Sequence, residues 1–221
     1  YTELDIPCYC YEAAAFKPER KNLAVCRAGE YEALPEKISD PDRRPDFGPD
    51  HFTGQAARSG AINVGARNFL IAVNFNLNTK STDLAKLIAY DVRESGHPKK
   101  SSDGTRMPGR LKGCKAIGWF IDEYDIAQVS MNITDIDTVP LHIAYEEVCK
   151  AARERGVQVT GTEIIGLIPK RVLMEAGRYY LGGKEGCTED ETMDIAIRTM
   201  GLDDLRAFEP KEKVIEFLMQ G

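Results

Sequence analysis

Between residues 66 and 169 the hydrophobic periodicity marks six elements, in the order strand, helix, strand, strand, helix, strand, and this order constrains the fold more than any other feature. In "ARNFLIAVNFNLN" (66–78) Phe69, Ile71, Val73, Phe75 and Leu77 fall on one face, with Asn74, Asn76 and Asn78 on the other. Ser81 or Thr82 caps a helix in which Leu84, Leu87, Ile88 and Val92 recur at helical spacing. Two strands follow, "CKAIGWFIDE" and "IAQVSMNITD", joined by a tight turn near Tyr124 and Asp125. Asp137 or Thr138 precedes a second helix with Leu141, Tyr145, Val148 and Ala152 on one stripe, ending at Gly156. A fourth strand, "TGTEIIGLIP", closes at Pro169.

Right-handed crossovers fold this order into a four-stranded antiparallel sheet with both helices on one face, a ferredoxin-like βαββαβ unit of the α+β class. The first and third strands are then central neighbours. Asn74 and Asn76 are expected beside Gln128, Ser130 and Asn132, on a face the helices leave open. Three further helices, at 170–180, 189–200 and 211–219, read as a tail that packs on this unit or on a partner.

The first sixty residues hold one strand, Ile6 to Tyr11, and one short helix around "GEYEALPEKI". The stretch "SDPDRRPDFGPDHFTGQAARSG" is dense in Pro, Gly, Asp and Arg and reads as a loop or linker. The organisation expected is therefore residues 1–65 as the later part of a second α/β subdomain plus linker, and 66–221 as a C-terminal subdomain. The latter divides into a ferredoxin-like part, 66–169, and a helical tail, 170–221. The chain enters an apolar strand within a few residues of Tyr1, with no Met and no polar leader, as if picked up partway through a domain.

With 221 residues, 43 % hydrophobic and 29 % charged, the chain has the make-up of a soluble globular protein. A net charge of -6 argues against a nucleic-acid partner. No apolar run approaches the roughly 18 residues of a membrane span, and no signal-peptide pattern opens the chain. The six cysteines (8, 10, 26, 114, 149 and 187) lack zinc spacing, and the lone Cys8/Cys10 pair on one strand face is a weak metal signal. Reduced thiols in a cytoplasmic, metal-free protein is the reading adopted.

Three features could carry chemistry. An uncharged face of amides and a hydroxyl either meets water or another subdomain, or forms a ligand groove. Asn and Gln offer donor and acceptor together, which suits a heterocycle with mixed edges. The loop "SGHPKKSSDGTRMPGRLKG" carries Lys99, Lys100, Arg106, Arg110 and Lys112 against Asp103, a basic patch that could attract a carboxylate, with Arg110 the preferred ligand. His51, His97 and His142 show no metal-ligand spacing and read as structural.

Taken in order, "RAGEYEALPEK", "PDFGP", "VGARNFLIAVNFNL", "GRLKGCKAIGWF", "AQVSMNITD" and "GTEIIGLIPKRVL" resemble the glutamate formimidoyltransferase (formiminotransferase) family across essentially the whole chain. This family also forms the N-terminal half of vertebrate formimidoyltransferase-cyclodeaminase. The resemblance implies a cytoplasmic homodimeric transferase of histidine degradation and one-carbon metabolism. It moves a formimino group from N-formimino-L-glutamate to tetrahydrofolate, a polyglutamate co-substrate, without a metal. It also implies two α/β subdomains whose sheets stack face to face, with folate in the groove between them.

A folate-contacting segment following "DFGP" maps onto Gly48, Pro49, Asp50, His51 and Phe52 and continues to Gly60, with extra residues here in "TGQAARSG". The amide face (Asn74, Asn76, Gln128, Ser130, Asn132) is the implied pterin side, and Arg110 the implied substrate-carboxylate ligand. The family's general base is a His followed by Pro, Arg and Met, which is expected upstream of Tyr1. His97-Pro98 is followed by Lys99 and Lys100 and is not that motif. On this reading the chain lacks the N-terminal segment and does not catalyse transfer alone. Two alternatives remain: a formyltransferase using N-formylglutamate, and a non-catalytic ferredoxin-like module that binds folate or another small ligand.

Overall fold

A computed structural model describes residues 3–98 and 107–219, and the chain divides into two units between Asn68 and Phe69. In the first unit β1 (Cys8–Glu12) and β2 (Ile62–Ala66) pair in parallel, Cys8 opposite Ile62 and Glu12 opposite Ala66. Parallel neighbours need a crossover. Here it runs through a 3-10 turn at Pro18–Lys21 and three short helices, α1 (Leu23–Arg27), α2 (Leu34–Ser39) and α3 (Gly54–Ser59).

Two features of this unit differ from the sequence reading. Residues 62–66 form a strand of the first unit where the sequence suggested linker, and the long alternating strand, expected from residue 66, begins only at Ile71, leaving Phe69 before it, exposed. "INVGA" carries a glycine and no buried side chain, which hid it from a pattern search. The turn-rich stretch also contains α3, whose first turn is fixed by Thr53: its Oγ1 accepts from the Ala56 N–H at 3.0 Å.

The main buried cluster of the first unit is five side chains, Tyr9, Cys26, Leu34, Ile38 and Ala56, with Cys8 and Cys10 also buried on β1. A buried ion pair supplements it. Arg20 meets Asp46 at 2.6 Å with both side chains almost wholly buried. Asp46 also accepts from the Cys10 N–H at 2.7 Å, and Arg20 donates to the Arg44 carbonyl at 2.5 Å. The turn-rich stretch is thus anchored to β1 through charge.

The second unit follows the expected order: β3 (Ile71–Leu77), α4 (Thr82–Val92), β4 (Cys114–Ile121), β5 (Ile126–Ile133), α5 (Leu141–Glu154) and β6 (Val159–Ile165). The strands lie in the order β4-β5-β3-β6, each neighbouring pair antiparallel, so the class is α+β. Ile71, Val73, Phe75 and Leu77 of β3 and Ala127, Val129, Met131 and Ile133 of β5 are buried in one core with residues of α4 and α5. Helix α4 rests directly on β4. A Cβ at Gly118 would stand 2.1 Å from the Lys86 backbone nitrogen, so only glycine fits.

Helix α5 begins at Leu141, later than its sequence caps suggested. Asp135 instead closes a turn, accepting from the N–H groups of Asp137 and Thr138, both at 3.1 Å, and Pro140 takes the N-cap position. The tail forms α6 (Lys170–Leu181), α7 (Glu189–Met200), α8 (Pro210–Lys213) and α9 (Ile215–Leu218). The single helix expected at 211–219 is interrupted at Val214. There Ile168 donates to the Lys213 carbonyl at 2.9 Å and accepts from Ile215 at 3.1 Å. Leu173, Ala176, Ala196 and Met200 are fully buried in the same core, so the tail belongs to this unit. Among the described residues no helix is long and apolar enough to cross a membrane.

Candidate functional site

The register of the second unit sets out its polar face in rows. Directly opposed residues share a face, so Trp119, Gln128, Asn76 and Gly161 form one row across β4, β5, β3 and β6. Ile117, Ser130, Asn74 and Glu163 form the next, and Lys115, Asn132, Ala72 and Ile165 the third. The five polar residues named from the sequence do lie together. The face is not simply open, however: Asn74, Asn76 and Gln128 are buried, Ser130 is half-buried and Asn132 is exposed.

Hydrogen bonds explain how uncharged amides tolerate this burial. The Gln128 side-chain N–H donates to Asn76 Oδ1 at 2.7 Å, and Asn76 Nδ2 donates to Asp204 at 3.4 Å. Asn74 Nδ2 donates to Glu163 at 3.3 Å. Asp204 comes from the segment after α7, which is held to β6 by the Thr162 N–H donating to the Gly201 carbonyl at 2.8 Å. It fits because residue 161 is glycine; a Cβ there would lie 2.2 Å from the Asp204 Cβ. Gln128 Oε1 remains buried with no partner. The face therefore carries the Glu163 and Asp204 carboxylates as acceptors, with the Gln128 amide oxygen buried beneath it. Trp119 and Ile117, both partly exposed, line its β4 side.

Sequence reasoning missed Ile117, Trp119, Glu163 and Asp204. The first three were readable once the strand order was fixed, since antiparallel register from the turn at Tyr124 sets Trp119 opposite Gln128. Asp204 was not, because nothing local brings "GLDDL" to β6.

The other predicted residues lie elsewhere. Gly48 has φ +91°, and a Cβ there would stand 2.3 Å from the Ile6 carbonyl oxygen. Pro49 is buried beside it, and Asp50 and His51 are exposed and paired at 3.0 Å. Phe52 packs partly on the core of the first unit, and Gly60, at φ +69°, ends α3. Arg110 is taken up by α5: it donates to Glu154 and lies 3.6 Å from Glu147. Burial acts to lower its pKa, but these carboxylates outweigh that and raise it. Lys112 is exposed, whereas Lys99, Lys100, Asp103 and Arg106 fall outside the described residues.

The two histidines of the second unit are off the polar face. His97 bonds to Asp91 at 2.8 Å, and Asp91 also pairs with Arg155. His142 is buried and stacked on Tyr179 with centroids 4.4 Å apart; burial lowers its pKa, with Glu175 and Glu146 opposing. The thiols are all free, and burial pushes Cys8 and Cys114 up to about 11. Among the described residues no cluster of three or more His, Cys, Asp or Glu could hold a metal ion.

The polar face thus combines two carboxylates with a partly exposed tryptophan. Comparison with known proteins narrows the class. Residues 72–220 match the formiminotransferase domain and residues 1–67 its N-terminal subdomain. The chain belongs to the formiminotransferase domain family. It is 42 % identical over 220 residues to a formimidoyltransferase-cyclodeaminase of Gallus gallus, covering 99 % of this chain and 39 % of that protein. A glutamate formimidoyltransferase of Streptococcus pyogenes serotype M1 is 41 % identical over 179 residues, covering 81 % of this chain and 55 % of its own. One from Thermoplasma acidophilum is 36 % identical over 199 residues, covering 88 % and 60 %. The chain spans between 39 % and 60 % of the length of these relatives.

Proposed function

We propose that this chain works in the transfer of the formimino group of N-formimino-L-glutamate to tetrahydrofolate, with the pterin on the polar face of the second unit. One observation carries the proposal. The Glu163 and Asp204 carboxylates form a pair of acceptors beside Trp119 on the family-matched sheet, with the unpartnered Gln128 Oε1 buried beneath them. A pterin presents an amino group and a ring N–H along one edge, which such acceptors recognise, and a flat face for an indole. The strand order β4-β5-β3-β6 supports the ferredoxin-like reading, in which this face lies opposite the helices.

In the reaction the folate N5 attacks the formimino carbon, the bond from that carbon to the glutamate nitrogen breaks, and a proton passes to the departing amine. The side-chain amide N–H of Asn132, exposed on the same face, would stabilise the tetrahedral intermediate. The proton on N5 needs a base. Neither His97 nor His142 lies on this face, and the resemblance puts the base upstream of Tyr1. The same reading implies a cytoplasmic homodimer acting on folate polyglutamates, with Gly48–Phe52 and Gly60 as further folate contacts.

The test is steady-state kinetics of the full-length protein carrying Glu163→Gln or Gln128→Leu. Loss of a charged or buried hydrogen bond should raise the folate KM about tenfold or more. An unchanged folate KM in both variants would remove the pterin from this face. Running N-formyl-L-glutamate beside the formimino donor separates the two transferase chemistries.

A further inference from the structure

Helix α7 and the segment that follows it leave a groove of about 840 Å³ in the second unit, and its lining shares no residue with the polar face. Met193, Ile197 and Phe208 form the floor, each 8 % exposed or less, and the half-buried Phe217 completes the apolar lining. The rim is acidic. Asp190, Asp203 and Glu209 stand exposed around it with the half-buried Asp194, against one cation among the described residues, Lys211. On α7, Asp190, Met193, Asp194 and Ile197 follow the i, i+3, i+4, i+7 spacing of a single helix face, so acidic and apolar side chains are presented together.

Exposed carboxylates alone are ordinary solvated surface. These differ in ringing an apolar floor, where an anionic visitor is repelled and a polar one gains little. Asp194 pairs with Arg198 and Glu189 with Lys170, but Asp190, Asp203 and Glu209 take part in no ion pair among the described residues. The occupant that complements this arrangement carries an apolar anchor with cations on its flanks. Apolar surface also continues along the chain from Phe217, with Leu218 47 % and Met219 80 % exposed, which outruns a small molecule and suits a polypeptide segment. Met193 and Met219 are unbranched and adapt to the shape of an incoming side chain.

We propose that this groove receives a short basic amphipathic helix of a partner protein. Apolar residues of that helix, spaced i, i+3 or i+4, reach the floor, and its Lys or Arg residues meet Asp190, Asp203 and Glu209. The site does not depend on the assignment of the polar face.

The experiment is a fluorescence-anisotropy titration of the full-length protein into a labelled peptide helix, "KLAKKLAKKLAK", whose Leu and Ala residues share one face and whose Lys residues share the other. It is repeated with Glu in place of every Lys, and with a reordered peptide of the same composition that has no apolar face. The basic helix should bind saturably, the Glu version at least about tenfold more weakly and the reordered one severalfold more weakly. Removing the rim charges together, Asp190→Asn, Asp203→Asn and Glu209→Gln, should weaken the basic helix about tenfold; all three side chains are exposed, so the fold should stay intact. Removing as much charge from exposed positions of the first unit, Glu19→Gln, Glu32→Gln and Asp42→Asn, should leave the affinity unchanged. A folded protein that does not bind the helix, equal weakening in the two triple variants, or a reordered peptide that binds as tightly would each overturn the proposal. So would a protein that ignores the peptide but self-associates, with that association lost in the groove variant, because a second copy would then be the occupant.

Discussion

The first unit buries two cations, Arg20 and Lys37, beside a main cluster of only five side chains. The second unit buries no Lys, Arg, Asp or Glu among its described residues, and its continuous apolar core runs from the sheet through α4–α7. A small core removes little apolar area from water, so the first unit depends on charge placed where its loops must close. The second unit has apolar area enough to bury uncharged amides on its other sheet face, provided they bond to one another. That difference teaches where each unit is fragile: one at an ion pair, the other at close backbone contacts.

The sharpest way to break the contrast is Asp46→Ala. It strands the Arg20 guanidinium and frees the Cys10 N–H, a loss of about 3–5 kcal/mol. Hydrogen exchange should speed up across β1 and β2 while the second unit's β3 and β5 stay protected. Replacing both partners with apolar residues, Arg20→Met with Asp46→Leu, should recover much of that loss. Protection of β1 that survives Asp46→Ala would show that the pair does not hold the unit together.

In the second unit Gly118→Ala forces the α4 backbone off β4 and should cost about 1–3 kcal/mol, read as a lower denaturant midpoint for this unit. A smaller effect is expected from Thr188→Ala. It removes the capping box at the start of α7, in which Thr188 Oγ1 accepts from the Glu191 N–H and Glu191 reaches back to Thr188. The expected loss is about 1 kcal/mol.

The smallest effect concerns pH. Burial holds the folded-state pKa of His142 below its unfolded value of about 6.5, so the unfolded chain binds more protons between the two. Stability from this group is complete above about pH 6.5 and falls as the pH drops toward the folded-state value. Chemical denaturation at pH 7.5 and 5.5 should show that decline, and His142→Gln should flatten it.

Much of the second unit was legible because its strands alternate cleanly and its helices carry apolar stripes. Handedness then sets the strand order, and alternation puts Asn74, Asn76, Gln128, Ser130 and Asn132 on one face. Asp204 and the break at Val214 were not legible, since each is set by a partner distant in sequence: Gly161 for the one, Ile168 for the other. In the first unit β2 and α3 escaped notice because "INVGA" buries nothing and α3 sits in a Gly-rich run. A unit held by an Arg20–Asp46 pair leaves little hydrophobic pattern to read.

The central claim is that a pterin lies on the polar face, and the chain carries its own reporter there. Trp119 is the single tryptophan of the sequence and stands opposite Gln128. Titrating 5-formyltetrahydrofolate into the 221-residue chain, with excitation selective for tryptophan, should change the Trp119 emission saturably. Gln128→Leu, and to a lesser degree Asn132→Leu, should shift that curve to higher ligand concentration. A folded chain whose Trp119 emission does not respond, or responds identically in Gln128→Leu, would contradict the account.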